Sequence, residues 1–180
     1  MLPIHCKTST ETKVDTSMTT EIFFSAVLIG IGATAFMDMV ALSQKLIFSQ
    51  QSLNYAMLGR WLGHVVQGRF VHRPIMASDP VPAERLLGWS AHYLTGVVFA
   101  LGFLSVVGRG WIEEPSLLPA IAFGIFTVLA PFLILQPGMG AGLAARLTPD
   151  PRAARRKSVF AHLSFGIGLW VTAICISSLL

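Results

Sequence analysis

Four apolar runs dominate the chain, from Ile22 to Gln44, Leu86 to Val107, Leu117 to Gln136 and Ser158 to Leu180. Each holds the roughly 20 residues that cross a hydrocarbon core about 30 Å thick at about 1.5 Å per residue. Inside such a core every backbone N–H and C=O must be paired within its own segment or in a closed barrel, so the runs are expected as helices. Barrel strands would be alternating segments of about ten residues, and none is present. Composition agrees, with 53% hydrophobic and 12% charged residues against about 25% charged in a soluble domain. The same figures exclude a disordered chain, and two cysteines are too few for a disulfide-stapled secreted domain. The expected fold is therefore an all-α integral membrane protein. A four-helix transmembrane bundle forms one domain over residues 22–180, behind a polar, disordered extension over residues 1–21.

Lysine and arginine orient the bundle. Of 13 in the chain, ten lie in two alternate loops, between the first and second runs and between the third and fourth. The positive-inside rule places those loops in the cytoplasm and both termini outside. Anionic lipid headgroups at these loops account for the pI near 9.5; a nucleic-acid-binding patch would also want interleaved exposed aromatics. No short apolar segment with a small-residue cleavage site precedes the first run, so a cleaved signal peptide is not expected. Met18 is the expected start of the functional chain, and a disulfide between Cys6 and Cys175 has little support.

The first basic loop has two parts. From Leu53 to Val66, Leu58, Trp61, Leu62 and Val65 recur at helical spacing beside Arg60 and His64, which predicts a short interfacial helix lying at the headgroups. The remainder, with Pro74, Pro80 and Pro82, is expected to be irregular. The second basic loop opens with QPGMGAG at 136–142, which ends the third helix or lets backbone approach something closely. It lacks the lysine of a phosphate loop. The two halves show no matching repeat, so a repeat-built transporter is not supported.

The ionisable residues inside the runs gather at one depth. Asp38 lies six residues before Gln44, about 9 Å inside; His92 lies six past Leu86, His162 four past Ser158, and Gln136 closes the third run on the same side. Azimuth adds a second coincidence: Gly30, Thr34 and Asp38 share one helical stripe, Gly88, His92 and Gly96 another, and His162 and Gly166 a third. Small-residue stripes let membrane helices pack closely, so Asp38 and His92 are expected to face the interior. Placing an Asp in this layer costs about 2.5–3.5 kcal/mol on insertion scales, and such residues often mark ion or substrate pathways. A polar cluster of Asp38, His92, His162 and Gln136 near the cytoplasmic face follows.

The chemistry of that cluster admits several readings. A structural Asp–His hydrogen bond across helices is the plainest. A carboxylate beside imidazoles can also bind a divalent cation or pass protons. Glu84, His64 and His72 are secondary candidates on the same side, read as a solvated Glu84–Arg85 pair and two interfacial histidines. Metal-ligand spacing such as HxxxH, HExxH or CxxC is absent, so no cofactor is expected, with a divalent metal or a haem between His92 and His162 the remote alternatives. No GxSxG elbow supports nucleophilic catalysis, and no catalytic residue is assigned.

The segments GIGATAFMD (30–38), SLNYAMLGRWLGH (52–64), GRFVH (68–72), ERLLGWSAHYLTG (84–96), LAPFLILQPGMGAG (129–142) and HLSFGIGLW (162–170) resemble an uncharacterised family of small bacterial inner-membrane proteins, a domain of unknown function. The resemblance spans about residues 20–178. It implies a multi-pass protein of the bacterial inner membrane and carries no catalytic residue with it. The leading reading is a non-enzymatic protein that binds or moves a small cation or proton through the cluster. A second is a structural or accessory subunit docking a partner membrane protein or another copy of itself. A third is a membrane enzyme acting on a lipid-linked substrate, with His92 and Glu84 or Asp38 as acid and base.

Overall fold

Apolar length becomes helix at all four places. A computed structural model describes residues 9–49 and 53–178, with side chains from residue 20 onward. The elements are α1 (Ser9–Phe48), α2 (Tyr55–Val65), α3 (Glu84–Val107), α4 (Gly110–Glu113), α5 (Leu117–Thr127), α6 (Gln136–Met139) and α7 (Pro151–Ser177), with 3-10 turns at Ile75–Ala77 and Leu143–Ala145. No strand occurs among the described residues. Thr20–Phe48, Glu84–Val107, Leu117–Met139 and Pro151–Ser177 are long and apolar enough to cross a membrane. The chain is a multi-pass, all-helical membrane protein.

Three boundaries depart from the sequence reading. α1 begins at Ser9, so the polar extension from that residue is helix where disorder was expected; no Pro or Gly lies between Ser9 and Glu21, and extending an existing helix costs far less than nucleating one. Residues 1–8 of the extension, Cys6 among them, and Leu179 and Leu180 of the fourth run lie outside the described residues. The third span is interrupted, because Pro131 has no N–H to donate and its ring crowds the carbonyl four residues back. The helix widens into a π turn over Pro131–Leu135, and Gln136 donates its backbone N–H five residues back to Pro131 O. α7 starts at Pro151, seven residues before Ser158. The Asp150 side chain caps it by accepting from Ala153 N at 3.0 Å, with proline in the first helical position, so Arg152 to Lys157 ride on helix.

α1 lies between α3 and α7, α5 packs on α7, and α2 packs against α3. Lipid tails are as apolar as leucine, so close van der Waals packing rather than transfer from water holds such helices together. A Cβ at Gly30 would sit 2.6 Å from Val97 Cα, at Gly166 2.6 Å from Ala120 O, and at Gly168 2.9 Å from Ala33 Cα. Ile29, Phe103, Leu104 and Leu169, fully or nearly fully buried, fill the centre. Trp111 and Ile112 of α4 close this core at the end away from the basic loops. There Trp111 donates to Ser116 O at 3.0 Å and Trp170 to Pro115 O at 3.2 Å, while Arg109 bridges Glu21 at 3.0 Å and Glu113 at 3.1 Å. The opposite, basic end carries the polar groups.

Candidate functional site

Asp38 continues the stripe of Gly30 and Thr34 on α1. Thr34 turns its hydroxyl back onto Gly30 O at 2.7 Å, and Gly96 leaves room for it, since a Cβ there would press on Thr34 Oγ1. α1 and α3 are thereby drawn close enough for His92, one turn before Gly96, to reach Asp38: His92 Nε2 lies 3.1 Å from Asp38 Oδ1.

The third member comes from outside the spans. Asn54 caps α2 by accepting from Ala56 N at 3.1 Å, and Gly59 and Gly88 let α2 cross the start of α3 with backbone on backbone. A Cβ at Gly88 would lie 2.6 Å from Tyr55 C, and one at Gly59 would lie 2.7 Å from Gly88 N. Tyr55, at the first position of α2, is thus directed into the seam. Its hydroxyl donates to Asp38 Oδ1 at 2.9 Å and lies 3.0 Å from His92 Nε2, with the rings stacked at 4.2 Å. Burial, and then the Asp38 carboxylate, push the Tyr55 phenol above its ordinary range, so it stays a donor at any physiological pH. The Asp38 and His92 side chains are 19% and 12% exposed. Asp38 Oδ2 is buried without a hydrogen-bond partner.

The structure divides the remaining candidates. His162 bonds Thr127 Oγ1 through Nδ1 at 2.8 Å, and Thr127 donates to Gly124 O at 2.6 Å, so His162 carries its proton on Nδ1. Gln136 donates to Ser158 Oγ at 3.1 Å, while its Oε1 is buried and unpartnered. Both bonds lie along the seam of the third span with α7. Neither His162 nor Gln136 hydrogen-bonds Asp38 or His92. Glu84 pairs with Arg60 rather than Arg85, through two contacts of 2.8 and 2.9 Å, and Arg60 also donates to Ser78 O at 3.1 Å.

His64 and His72 are buried in the protein at 3% and 8% exposure, because the proline-containing loop folds back over α2. His64 Nε2 lies 3.0 Å from Asp79 O, His72 Nδ1 lies 2.8 Å from Ser78 Oγ, and the rings are 5.0 Å apart. The QPGMGAG segment does two jobs here. Gly140 ends α6 in the left-handed region at φ 93°, and Gly138 accepts from His72 N at 2.9 Å beneath the Trp61 ring. Among the described residues no three His, Cys, Asp or Glu side chains are disposed to hold a metal ion.

The family described as protein of unknown function (DUF2938) matches residues 27–176. The chain belongs to this family. The DUF2938 match takes in Asp38, Tyr55 and His92 as well as Thr127, Gln136, Ser158 and His162, and it leaves the polar extension outside. No curated protein and no solved structure matches the chain.

Sequence reasoning missed Tyr55, Thr127 and Ser158. A signal for Tyr55 was present: Tyr55, Gly59 and Gly63 stand four apart, the same spacing as the Gly88, His92 and Gly96 stripe, whose Gly88 end meets α2. Thr127 shares a small face with Ala120 and Gly124 of the third run, which marks it for packing and not for a bond to His162, and Ser158 carries no mark, since a lone hydroxyl on an apolar helix usually bonds its own backbone.

Proposed function

We propose that this protein resides in the bacterial inner membrane, with its basic end in the cytoplasm and both termini outside, and binds and passes a proton at Asp38, Tyr55 and His92. α2 then lies at the inner headgroup layer and presents Tyr55 to the bundle. One observation carries the reading: a single carboxylate oxygen is shared by a tyrosine hydroxyl and an imidazole nitrogen from two other helices, while the second oxygen is buried with no hydrogen-bond partner of its own, and the Tyr93 phenol stands in electrostatic reach of the same carboxylate. With Asp38 ionised, Tyr55 O–H and His92 Nε2–H both donate to Oδ1. An arriving proton has two places to go, the lone pair of Oδ2 or the second nitrogen of His92, and either choice leaves the Oδ1 contacts in place. A carboxylate and an imidazole that trade one proton in this way are the ordinary parts of a membrane proton path. A divalent cation is served less well, because one carboxylate and one imidazole supply half the ligands it wants and the neutral phenol occupies their shared side.

The test is flux in proteoliposomes carrying a pH-sensitive dye inside and a potassium diffusion potential across the membrane. The protein acidifies the lumen, and Asp38→Asn and His92→Ala, reconstituted with unchanged thermal unfolding, reduce the rate to that of empty vesicles. Equal rates for the parent protein and Asp38→Asn refute proton passage.

A further inference from the structure

We propose that the two loops of the basic end are inserted, by their apolar side chains, into an anionic phospholipid headgroup layer, an interaction independent of the proton reading. The loop after α2 is built inside out for a segment facing water. It buries His72 and exposes Phe70 at 61%, Val71 at 64% and Met76 at 74%. Nothing about this loop is slack enough to turn those side chains inward on demand. Trp61 Nε1 holds Phe70 O at 2.9 Å, His72 N holds Gly138 O at 2.9 Å, and Ile75 is anchored with 4% exposure.

The second loop repeats the pattern. The 3-10 turn Leu143–Ala145 buries Ala145 and leaves Leu143 50% and Leu147 66% exposed. The hydrogen bond from His72 to Gly138 places both loops at one end of the molecule.

Charge names the occupant. Arginine flanks each apolar pair: Arg69 precedes Phe70, Arg73 follows His72, and Arg146 precedes Leu147. All three are exposed, and none of the protein's own carboxylates reaches them among the ion pairs of the described residues. These two loops and the helix turns that follow them carry eight Lys and Arg, from Arg69 to Arg85 and from Arg146 to Lys157, against Asp79, Glu84 and Asp150. Apolar side chains beside unpaired guanidinium groups match the boundary between acyl chains and phosphates, where the former leave water and the latter meet anions.

The experiment uses full-length protein in which Cys6 and Cys175 are replaced by serine and a nitroxide is attached at Phe70→Cys or Leu147→Cys. It is reconstituted in phosphatidylglycerol–phosphatidylcholine vesicles. At both positions, collisions with oxygen exceed collisions with a water-soluble nickel chelate, the signature of headgroup-depth insertion. Dominant nickel collisions place the loops in water and overturn the proposal. Low collisions with both reagents, meaning cover by protein or a second copy, overturn it too. A second measurement needs no label: unmodified protein retains phosphatidylglycerol over phosphatidylcholine in native mass spectrometry. Arg69→Gln and Arg146→Gln each lower that preference by roughly fivefold; an unchanged preference in both variants removes the electrostatic half of the argument and overturns the anionic assignment.

Discussion

Replacing Gly88 by alanine adds one methyl group where α2 crosses α3, and the geometry sets what must follow. The new Cβ would stand 2.6 Å from Tyr55 C and 3.1 Å from Gly59 N, with the Tyr55 carbonyl oxygen nearer still, whereas ordinary contact begins at 3.4 Å. All three obstacles are backbone, so no side chain can swing aside. α2 has to retreat by at least about 0.8 Å, and a shift of that size along the Tyr55–Asp38 bond of 2.9 Å carries it past 3.5 Å. Overpacking of this kind costs about 1–3 kcal/mol, set against the roughly 0.5–1 kcal/mol that alanine returns in a helix interior. Gly102→Ala on the same helix is the control, because its Cβ meets only Phe123 Cζ at 3.8 Å. Thermal unfolding in mild detergent ranks Gly102→Ala at or above the parent and Gly88→Ala below both. Trp89, whose ring is 4.4 Å from that of Tyr55, changes emission in Gly88→Ala alone. If Gly88→Ala unfolds with Gly102→Ala and leaves Trp89 unchanged, the crossing does not position Tyr55.

Two further outcomes are expected. Arg60→Met removes the guanidinium that joins Glu84 to the Ser78 carbonyl, so limited proteolysis cuts the 67–82 loop faster while the spans stay intact; an unchanged cleavage rate means the loop is held elsewhere. Alkaline pH acts through Tyr55, whose phenol is raised by burial and by Asp38. A group held protonated in the fold contributes stability that is complete below the ordinary phenol value near 10 and is lost as pH climbs toward the raised one. Tyr55 and Tyr93 are the chain's two tyrosines, so in a Tyr93→Phe variant the tyrosinate absorbance reports Tyr55 alone and appears only above the free-phenol range and together with unfolding. Ionisation near pH 10 with the fold intact contradicts the buried contact.

How much of the site was legible depended on whether a residue's signal was local. Asp38 and His92 were marked twice in the sequence, by an ionisable group inside an apolar run and by small residues one turn away. The structure puts the two 3.1 Å apart. His162 bore the same marks, since it shares a stripe with Gly166, yet Gly166 packs on Ala120 of α5 and His162 turns to Thr127 there. A small-residue stripe announces that a helix has a close neighbour and is silent on which. Glu84 shows the converse failure, because adjacency to Arg85 in sequence suggested a pair that helix geometry denies; neighbours on a helix are three or four apart, and Arg60 arrives from α2.

Hydropathy and charge sum over contiguous residues, so the amino-acid order alone determined the four spans, their alternation with basic loops, and one carboxylate set among apolar neighbours. The insertion of Tyr55, the pairing of His162 with Thr127 and of Gln136 with Ser158, and the outward turn of Phe70 and Leu147 were decided by tertiary structure. The helix pairings follow from backbone contacts at Gly59, Gly88 and Gly166 between segments far apart in the chain, where a single Cβ more would press on the neighbour, and the turn of Phe70 follows from the bonds that Trp61 and Gly138 make to its loop.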